Sequence, residues 1–237
     1  MSENLPLPVA LVTGAGRGIG RATAVAFAKA GFATVLVARN VAELTETKSL
    51  CGDNAVVEIA DVRDGPRADA IVAGTVARFG RIDVLVNNAG LAPLVAFEKM
   101  TEQIFRDTID TNLLAAFHYS RAVWPVMQRQ GGGTIINLSS ESARDPFDGF
   151  AAYAAAKAAI NAFTKALASE GDAHHIRAIA VAPAGVETAM LRKIATPEQL
   201  RPADVLTPQD VADAILAAAT GPLRHASGEV IYLHKRA

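Results

Sequence analysis

The stretch VALVTGAGRGIG, Val9 to Gly20, joins a short β-branched apolar run to a turn that is rich in glycine. Runs such as VALVT suit strands that are buried on both faces of a sheet. Glycines at 14, 18 and 20 permit a tight turn, a close approach of the backbone to a pyrophosphate, and close packing of the following helix, whose N-terminus attracts anions. The stretch therefore predicts a strand–turn–helix unit that binds a dinucleotide.

The spacing of these glycines needs support from the rest of the chain. It is G-x-x-x-G-x-G, whereas the standard dinucleotide fingerprint is G-x-G-x-x-G. A glycine-rich turn alone is equally compatible with a tight connection between a strand and a helix. The interpretation as a cofactor loop, with Arg17 and Ile19 among its contacts, depends on the motifs that follow.

The alternation of strand and helix continues to the end of the chain. Six further β-branched runs are ATVLVA, AVVEIA, IDVLVN, TIINLS, IRAIAVA and EVIYL. Segments of helical character lie at 18–30, 40–50, 65–79, 101–130, 151–171 and 207–220. This order predicts a doubly wound, Rossmann-type α/β fold: a mostly parallel, seven-stranded sheet with helices on both faces. We expect a single domain over 1–237, with a short substrate lid at 186–206.

Composition and net charge indicate which class of molecule the protein binds. The chain has 237 residues, of which 51% are hydrophobic and 20% charged, and its formal net charge is -1. This balance suits a globular protein and gives no field that would attract nucleic acid or an anionic membrane surface. The expected partner is therefore a small molecule.

Other features of the sequence bear on the cellular compartment and on metal binding. The single cysteine, Cys51, suits a reducing compartment, and the N-terminal segment lacks the basic start of a signal peptide. No run reaches the ~20 apolar residues of a membrane span, so we expect a cytoplasmic protein. His174 and His175 are adjacent in a turn. They lack the helical spacing and the neighbouring carboxylates or thiolates of a metal site, so we expect no metal site.

The end of the second predicted strand bears on which dinucleotide is bound. An NAD-binding protein usually carries an acid about 20 residues beyond the loop, where it bonds the ribose 2′-hydroxyl. Here Ala38 lies near that position and Arg39 follows it. A guanidinium grips a 2′-phosphate, whereas a carboxylate repels it. Arg17 or Arg39 alone is also compatible with a solvated side chain, but together they favour NADP(H) over NAD(H).

A tyrosine and a lysine lie four residues apart in FAAYAAAKAAI, Phe150 to Ile160, on one face of a predicted helix. Taken alone, this pair favours a structural interpretation, in which Tyr153 packs against the helix and Lys157 extends to solvent beside it. Ser140, however, follows the fifth predicted strand, at the sheet edge where ligands bind. An ammonium about 4 Å away is worth about 4 kcal/mol at an effective dielectric of about 20, enough to lower a phenol pKa substantially. The three groups predict acid–base chemistry.

These motifs, in this order, resemble the short-chain dehydrogenase/reductase family, which includes 3-oxoacyl carrier protein reductases and carbonyl reductases. The resemblance runs from about Val9 to Leu233 and rests on TGAGRGIG, ADV, NNAG, DTNLLAAF, the serine and the tyrosine–lysine pair. It implies a catalytic tetrad of Asn112, Ser140, Tyr153 and Lys157. With the arginines discussed above, the expected cofactor contacts are Gly14, Arg17, Gly18, Ile19, Gly20, Arg39, Asp61, Val62, Asn88, Ala89, Gly90, Tyr153, Lys157, Pro183, Val186 and Thr188.

The resemblance also implies roles for the tetrad. Tyr153 protonates the substrate carbonyl oxygen as hydride is transferred, or takes the proton in reverse, and Ser140 holds the same oxygen. Lys157 lowers the tyrosine pKa and hydrogen-bonds the nicotinamide ribose, while Asn112 positions a water of the proton relay. Because the corresponding helix often lines a subunit interface, we expect a homodimer or homotetramer.

Some positions depart from the family pattern. Ala184 stands in a common glycine place after the sixth strand, Ala143 stands where many members have glycine, and the chain ends SGEVIYLHKRA without the usual V-[DN]-G-G. None of these changes removes a catalytic group. The interval from Thr188 to Thr207 is short for a substrate lid, which indicates an open pocket. Its candidate apolar lining, equally compatible with core, is Phe147, Phe150, Met190 and Leu191.

The leading interpretation is an NADP(H)-dependent reductase that converts a ketone or aldehyde into an alcohol. The alternatives are an NAD-dependent alcohol dehydrogenase acting in the oxidation direction, a halohydrin lyase on the same fold, and a catalytically silent dinucleotide sensor. The lyases lose the dinucleotide loop and replace the lysine by arginine, so the glycine loop and Lys157 argue against that class. A silent sensor would normally have lost the tyrosine or the lysine.

Overall fold

Seven strands form one sheet in the computed structural model, which describes residues 7–235. All neighbouring strands pair in parallel, in the order β3-β2-β1-β4-β5-β6-β7. The strands are β1 Val9–Thr13, β2 Ala33–Ala38, β3 Ala55–Ile59, β4 Val84–Asn87, β5 Gly133–Leu138, β6 Ile176–Pro183 and β7 Val230–Leu233. The predicted doubly wound fold is confirmed, and this sheet is wholly parallel. The first six and the last two residues of the predicted domain lie outside the described range.

Helices connect successive strands and lie on both faces of the sheet. They are α1 Gly18–Lys29, α2 Val41–Cys51, α3 Gly65–Phe79, α4 Glu102–Ile109, α5 Ala115–Gln130, α6 Ala151–Gly171 and α7 Pro208–Thr220. Polar side chains fix several starts: Asn40, Asp64 and Thr101 accept backbone N–H groups at α2, α3 and α4. At α7, Thr207 and Asp210 form a reciprocal capping box.

The segment 101–130, predicted as one long helix, is not continuous. It consists of α4, one π-helical turn at Asp110–Leu114, and α5. Periodicity and composition did not reveal the break, because the turn keeps helical backbone angles at both of its ends. Pro125 lies inside α5. Single π-helical turns often mark functional sites, and this one contains Asn112.

Two apolar layers hold the helices against the sheet. On one face the side chains of α3 and α5, including Ile71 and Tyr119, pack on Leu11 and Ile135. On the other face those of α1, α2 and α7, such as Phe27, pack on alternate strand residues. Both faces of the central strands are therefore buried, as their continuous apolar runs predict. The carboxyl ends of all seven parallel strands consequently lie along one edge of the sheet.

The predicted lid is a small insertion between β6 and α7. A parallel bridge between Val186 and Leu206 closes its two ends, and two short 3-10 turns, Leu191–Lys193 and Pro202–Asp204, lie within it. Arg192 organises the interior through an ion pair with Glu187 and hydrogen bonds to backbone carbonyls. That this insertion covers a substrate stays a prediction. Among residues 7–235, no helix is both long enough and apolar enough to cross a membrane.

Candidate active site

The glycine loop between β1 and α1 is locked against the turn that follows β4. The Thr13 hydroxyl accepts the backbone N–H groups of Asn88 and Ala89, and the Asn88 amide donates to the carbonyl of Thr13 at 2.8 Å. Gly14 has a φ of 67°, and a methyl group there would lie 2.9 Å from the Ala89 Cα atom. Only glycine fits this contact without strain. The loop and the NNAG turn therefore form one rigid wall of the cleft.

The N-terminus of α1 faces the same cleft with its backbone donors available. Arg17 occupies the N-cap position, and its side chain makes no capping hydrogen bond. Gly18 and Gly20 begin the helix, and Ile19 packs partly into the core below it. Free N–H groups and the helix dipole make such a terminus an anion site.

The residues expected near a 2′-phosphate lie at the end of β2 and at the start of α1. Ala38 ends β2, and Arg39 follows with a side chain that is 75% exposed, which leaves its guanidinium free to turn toward a ligand. Arg39 Nη1 lies 3.8 Å from Asp61 Oδ2, and Arg17 Nη1 lies 3.5 Å from Glu43 Oε1. Each of the two arginines thus lies close to a carboxylate of the same chain.

Asp61 and Val62 follow β3, where the resemblance places the adenine pocket. Arg63 grips the Asp61 carboxylate in a bidentate manner, and these hydrogen bonds hold the pKa of Asp61 below its ordinary value. Arg63 also contacts Asp107 of α4 at 3.2 Å. Val62 is buried. The Asp61 side chain is consequently fixed, and its charge is largely matched by Arg63.

The four tetrad residues converge around α6. This helix packs against the π-turn that holds Asn112 and against the short 3-10 turn Glu141–Ala143 that follows Ser140. Ser140 acts as N-cap of that 3-10 turn: its Oγ accepts the N–H of Ser142 at 3.1 Å. The hydroxyl proton of Ser140 remains free to be donated.

Asn112 is held by its amide nitrogen, which donates to the carbonyls of Leu91 and Thr108, both at 2.8 Å. Its Oδ1 atom is buried and accepts no hydrogen bond from the described residues. A methyl group added at Gly90 would lie 2.6 Å from that oxygen and 3.8 Å from Lys157 Nζ. Oδ1 therefore points at a narrow polar space beside the lysine, which is suited to a bridging water.

Lys157 is buried in the centre of this group, with 3% of its surface exposed. Its Nζ donates to the Leu138 carbonyl at 2.6 Å and lies 5.6 Å from the centroid of the Tyr153 ring. Burial lowers the pKa of Lys157 to about 8. The ammonium is thus desolvated and lies beside the Tyr153 ring, in a site where its charge is easily perturbed.

The direction of the Tyr153 pKa differs from the sequence expectation. The resemblance implied a pKa lowered by Lys157, but burial raises the pKa of this phenol, and its interaction with Ser140 offsets only part of the rise. The physical reason is that desolvation disfavours the phenolate more than the neighbouring groups stabilise it.

The turn beyond β6 brings the remaining cofactor candidates to the cleft. Pro183 ends β6, and Val186 is buried at the base of the insertion. Thr188 faces the glycine loop, because a methyl group at Gly18 would lie 3.4 Å from its Cγ2 atom. The Thr188 hydroxyl is already engaged, since it donates to the Val186 carbonyl and accepts the N–H of Leu191.

The apolar candidates divide between surface and core. Phe147 is 62% exposed, whereas Phe150 is buried with its ring centroid 5.4 Å from that of Tyr153. The Phe147 and Phe150 centroids are 6.1 Å apart. The aromatic pair thus leads from the surface to the Tyr153 phenol.

Two acids near the site were not identified from the sequence. Glu43 lies in the first turn of α2, where acids are common, so nothing in the sequence distinguished it from an ordinary helix start. Glu141 directly follows Ser140 and is buried. Its position directly after Ser140 was the available signal.

The arrangement fits a nicotinamide dinucleotide. The uncapped N-terminus of α1 suits a pyrophosphate, Arg17 and Arg39 suit the adenosine end, and the orphaned Asn112 oxygen lies beside Lys157. The matching model of the short chain dehydrogenase family covers residues 8–199. The chain belongs to this family. It is therefore an oxidoreductase that acts on CH–OH or C=O groups.

Individual family members show the same likeness over most or nearly all of the chain. A Vibrio cholerae 3-oxoacyl-[acyl-carrier-protein] reductase is 32% identical over 98% of this chain and 97% of its own length. A Streptomyces virginiae protein that bears the name of a monensin polyketide synthase ketoacyl reductase is 41% identical over 78% of this chain and 73% of its own. The Brucella melitensis 3-ketoacyl-(acyl-carrier-protein) reductase, solved with NADH, superposes with a TM-score of 0.91 at 30% identity and covers 98% of both chains.

Proposed function

We propose that this dehydrogenase is an NADPH-dependent reductase that converts a carbonyl group, foremost a ketone, into a secondary alcohol. The observation that carries the proposal is the convergence of Ser140, Tyr153 and the buried Lys157 on one side of the cleft, with Asn112 in the π-turn that packs against the same helix. The names of the relatives make 3-oxoacyl thioesters the first substrates to test.

The residues of this chain account for the proton side of the reaction. When bound, the dinucleotide supplies the hydride that the carbonyl carbon accepts. The Ser140 hydroxyl donates a hydrogen bond to the carbonyl oxygen, and Tyr153 gives that oxygen its proton. The resulting phenolate is stabilised by the Lys157 ammonium. The space between Asn112 Oδ1 and Lys157 suits a water through which a proton returns to the tyrosine.

The choice of NADPH rests on Ala38, Arg17 and Arg39. No carboxylate side chain stands at the end of β2 to repel a 2′-phosphate, and the two exposed guanidinium groups can reach toward one. The second candidate function is an enzyme that uses NAD(H) as its cofactor, in carbonyl reduction or in alcohol oxidation. Glu43 favours it, because its carboxylate lies beside Gly16 and Arg17, where it would oppose a phosphate.

The test is a panel of ketones, aldehydes, diketones and 3-oxoacyl thioesters, each assayed with NADPH and with NADH at the nicotinamide absorbance. We expect turnover with a ketone and a higher kcat/KM with NADPH. Turnover with NADH alone would contradict the cofactor choice. Tight NADPH binding without turnover on any carbonyl would instead support the silent sensor.

A further inference from the structure

A buried carboxylate directly follows the catalytic serine. The Glu141 side chain is only 11% exposed, and it meets two basic groups from different parts of the chain: Arg144, one turn later, and His234, beyond β7. The Arg144 guanidinium also stacks on the Tyr232 ring, 4.3 Å from its centroid. We call Glu141, Arg144, Tyr232 and His234 the Glu141 cluster.

The two carboxylate oxygens of Glu141 are used differently. Oε1 accepts a hydrogen bond from Arg144, whereas Oε2 is buried and lies 3.2 Å from His234 Nε2. The geometry at Oε2 is not that of a formed hydrogen bond with any described residue. Leaving a buried carboxylate without a partner strongly destabilises a folded protein. The contacts with Arg144 and His234 therefore both constrain the position of the Glu141 side chain.

The Glu141 cluster joins two segments at the carboxyl edge of the sheet. Glu141 and Arg144 belong to the loop after β5, and Tyr232 and His234 belong to the end of β7. The neighbouring Leu233 carbonyl accepts the N–H of Ala184 in the turn after β6. The loop that carries the serine is thus tied to the last strand, and through it to the turn near the expected nicotinamide position.

The position of the Ser140 hydroxyl depends on this tie. Its Oγ accepts the N–H of Ser142, which lies in the 3-10 turn that Glu141 begins. Any shift of that turn moves the hydroxyl that must contact the carbonyl oxygen. We propose that Glu141 is a positioning residue, which holds the Ser140 hydroxyl in place through its contacts with Arg144 and His234. This inference rests on the proposed carbonyl reduction.

The experiment compares Glu141→Ala, Glu141→Gln and His234→Ala with wild type. For each protein one would measure kcat and KM for the best ketone of the panel, the Kd of NADPH by fluorescence, and Tm. Glu141→Gln keeps the shape and the acceptor for Arg144, so it is the conservative variant. The control is Asp69→Asn, which removes a carboxylate paired with Arg121 on the surface of α3 and α5, far along the chain from Ser140.

We expect Glu141→Ala to lower kcat about 10- to 100-fold, because small misplacements of catalytic groups have effects of that size. The Kd of NADPH should stay within about twofold of wild type, since the glycine loop is untouched. Glu141→Gln should recover most of kcat, His234→Ala should lower it severalfold, and Asp69→Asn should leave it unchanged. A purely structural role would not produce a selective loss of kcat with rescue by glutamine.

A Glu141→Ala variant with wild-type kcat would overturn the inference. So would a loss in which kcat and NADPH binding fall together with the folded fraction. If Glu141→Ala does not fold, His234→Ala decides, because that side chain is half exposed and its removal leaves Arg144 in place; an unchanged kcat there overturns the inference. A wild type that reduces no carbonyl would contradict the proposed function instead, so the two failures are distinguishable.

Discussion

Arg17 Nη1 lies 3.5 Å from Glu43 Oε1, so an arginine expected to hold a 2′-phosphate shares its charge with a carboxylate of its own chain. The Glu43 Oε2 atom would also lie 2.9 Å from a methyl group added at Gly16. An NADPH phosphate would therefore have to draw Arg17 away from Glu43. This contact limits the preference for NADPH that the two arginines can provide.

Removing that carboxylate should strengthen NADPH binding. For Glu43→Gln we expect the Kd of NADPH to fall about 2- to 5-fold, the scale of exposed ion pairs, with little change for NADH. The matched control is Glu46→Gln on the same helix, which removes a charge that faces Arg21 rather than Arg17. An unchanged ratio of the two Kd values in Glu43→Gln would show that Glu43 does not influence the choice.

Arg39 should contribute to NADPH binding but not to NADH binding. A charge-assisted hydrogen bond is worth roughly 1.5–3 kcal/mol, and exposure reduces that value. We expect Arg39→Ala to raise the KM for NADPH about 3- to 10-fold, and Ala38→Asp to move the preference further by repelling the phosphate. Steady-state kinetics with both cofactors at moderate salt is the measurement. Equal or better use of NADH by wild type would show that the interpretation of VARN is wrong.

Tyr153 should be needed for chemistry and not for cofactor binding. Tyr153→Phe removes only the hydroxyl, so turnover should fall by about 10²- to 10⁴-fold, the usual contribution of a general acid. The Kd of NADPH, measured by fluorescence titration, should change little. Turnover close to that of wild type would remove Tyr153 from the proposed mechanism.

Lys157 should make stability depend on pH in the alkaline range. Its pKa is lowered to about 8 by burial, so between about pH 8 and 10.5 the unfolded chain binds more protons at this site than the folded chain. This site therefore stabilises the fold progressively as pH rises through that window. Urea unfolding at pH 7.5, 9 and 10 should show Lys157→Met more stable than wild type at pH 7.5, by up to ~3 kcal/mol, with the difference shrinking as pH rises. A difference that is constant with pH would show that Lys157 is not desolvated.

The exposed alanine face of α6 should pack against a second copy of the chain. Ala155, Ala158 and Ala162 are exposed and lie on one stripe of the helix, while Phe117 on α5 is 42% exposed. We expect a dimer or tetramer by light scattering at micromolar concentration, and dissociation on Ala158→Arg. A clean monomer of the wild type would contradict this prediction.

Local patterns predicted most of the fold. Each buried strand of a parallel sheet needs a continuous apolar run, and each crossover needs a helix, so the order of runs such as VALVT and TIINLS was sufficient for the architecture. The break at Asp110–Leu114 escaped this reasoning, because one extra residue in a helical turn leaves composition and approximate periodicity unchanged.

The sequence by itself determined which chemical groups this protein carries: a glycine loop, two arginines without an acid at Ala38, and the serine, tyrosine and lysine in order. Only the tertiary structure decided how those groups are charged and held. Burial raises the pKa of Tyr153 and lowers that of Lys157, and contacts between residues far apart in the chain place Glu141 against His234. Desolvation and contacts between residues far apart in the chain depend on distances in space, and spacing along the chain does not specify those distances.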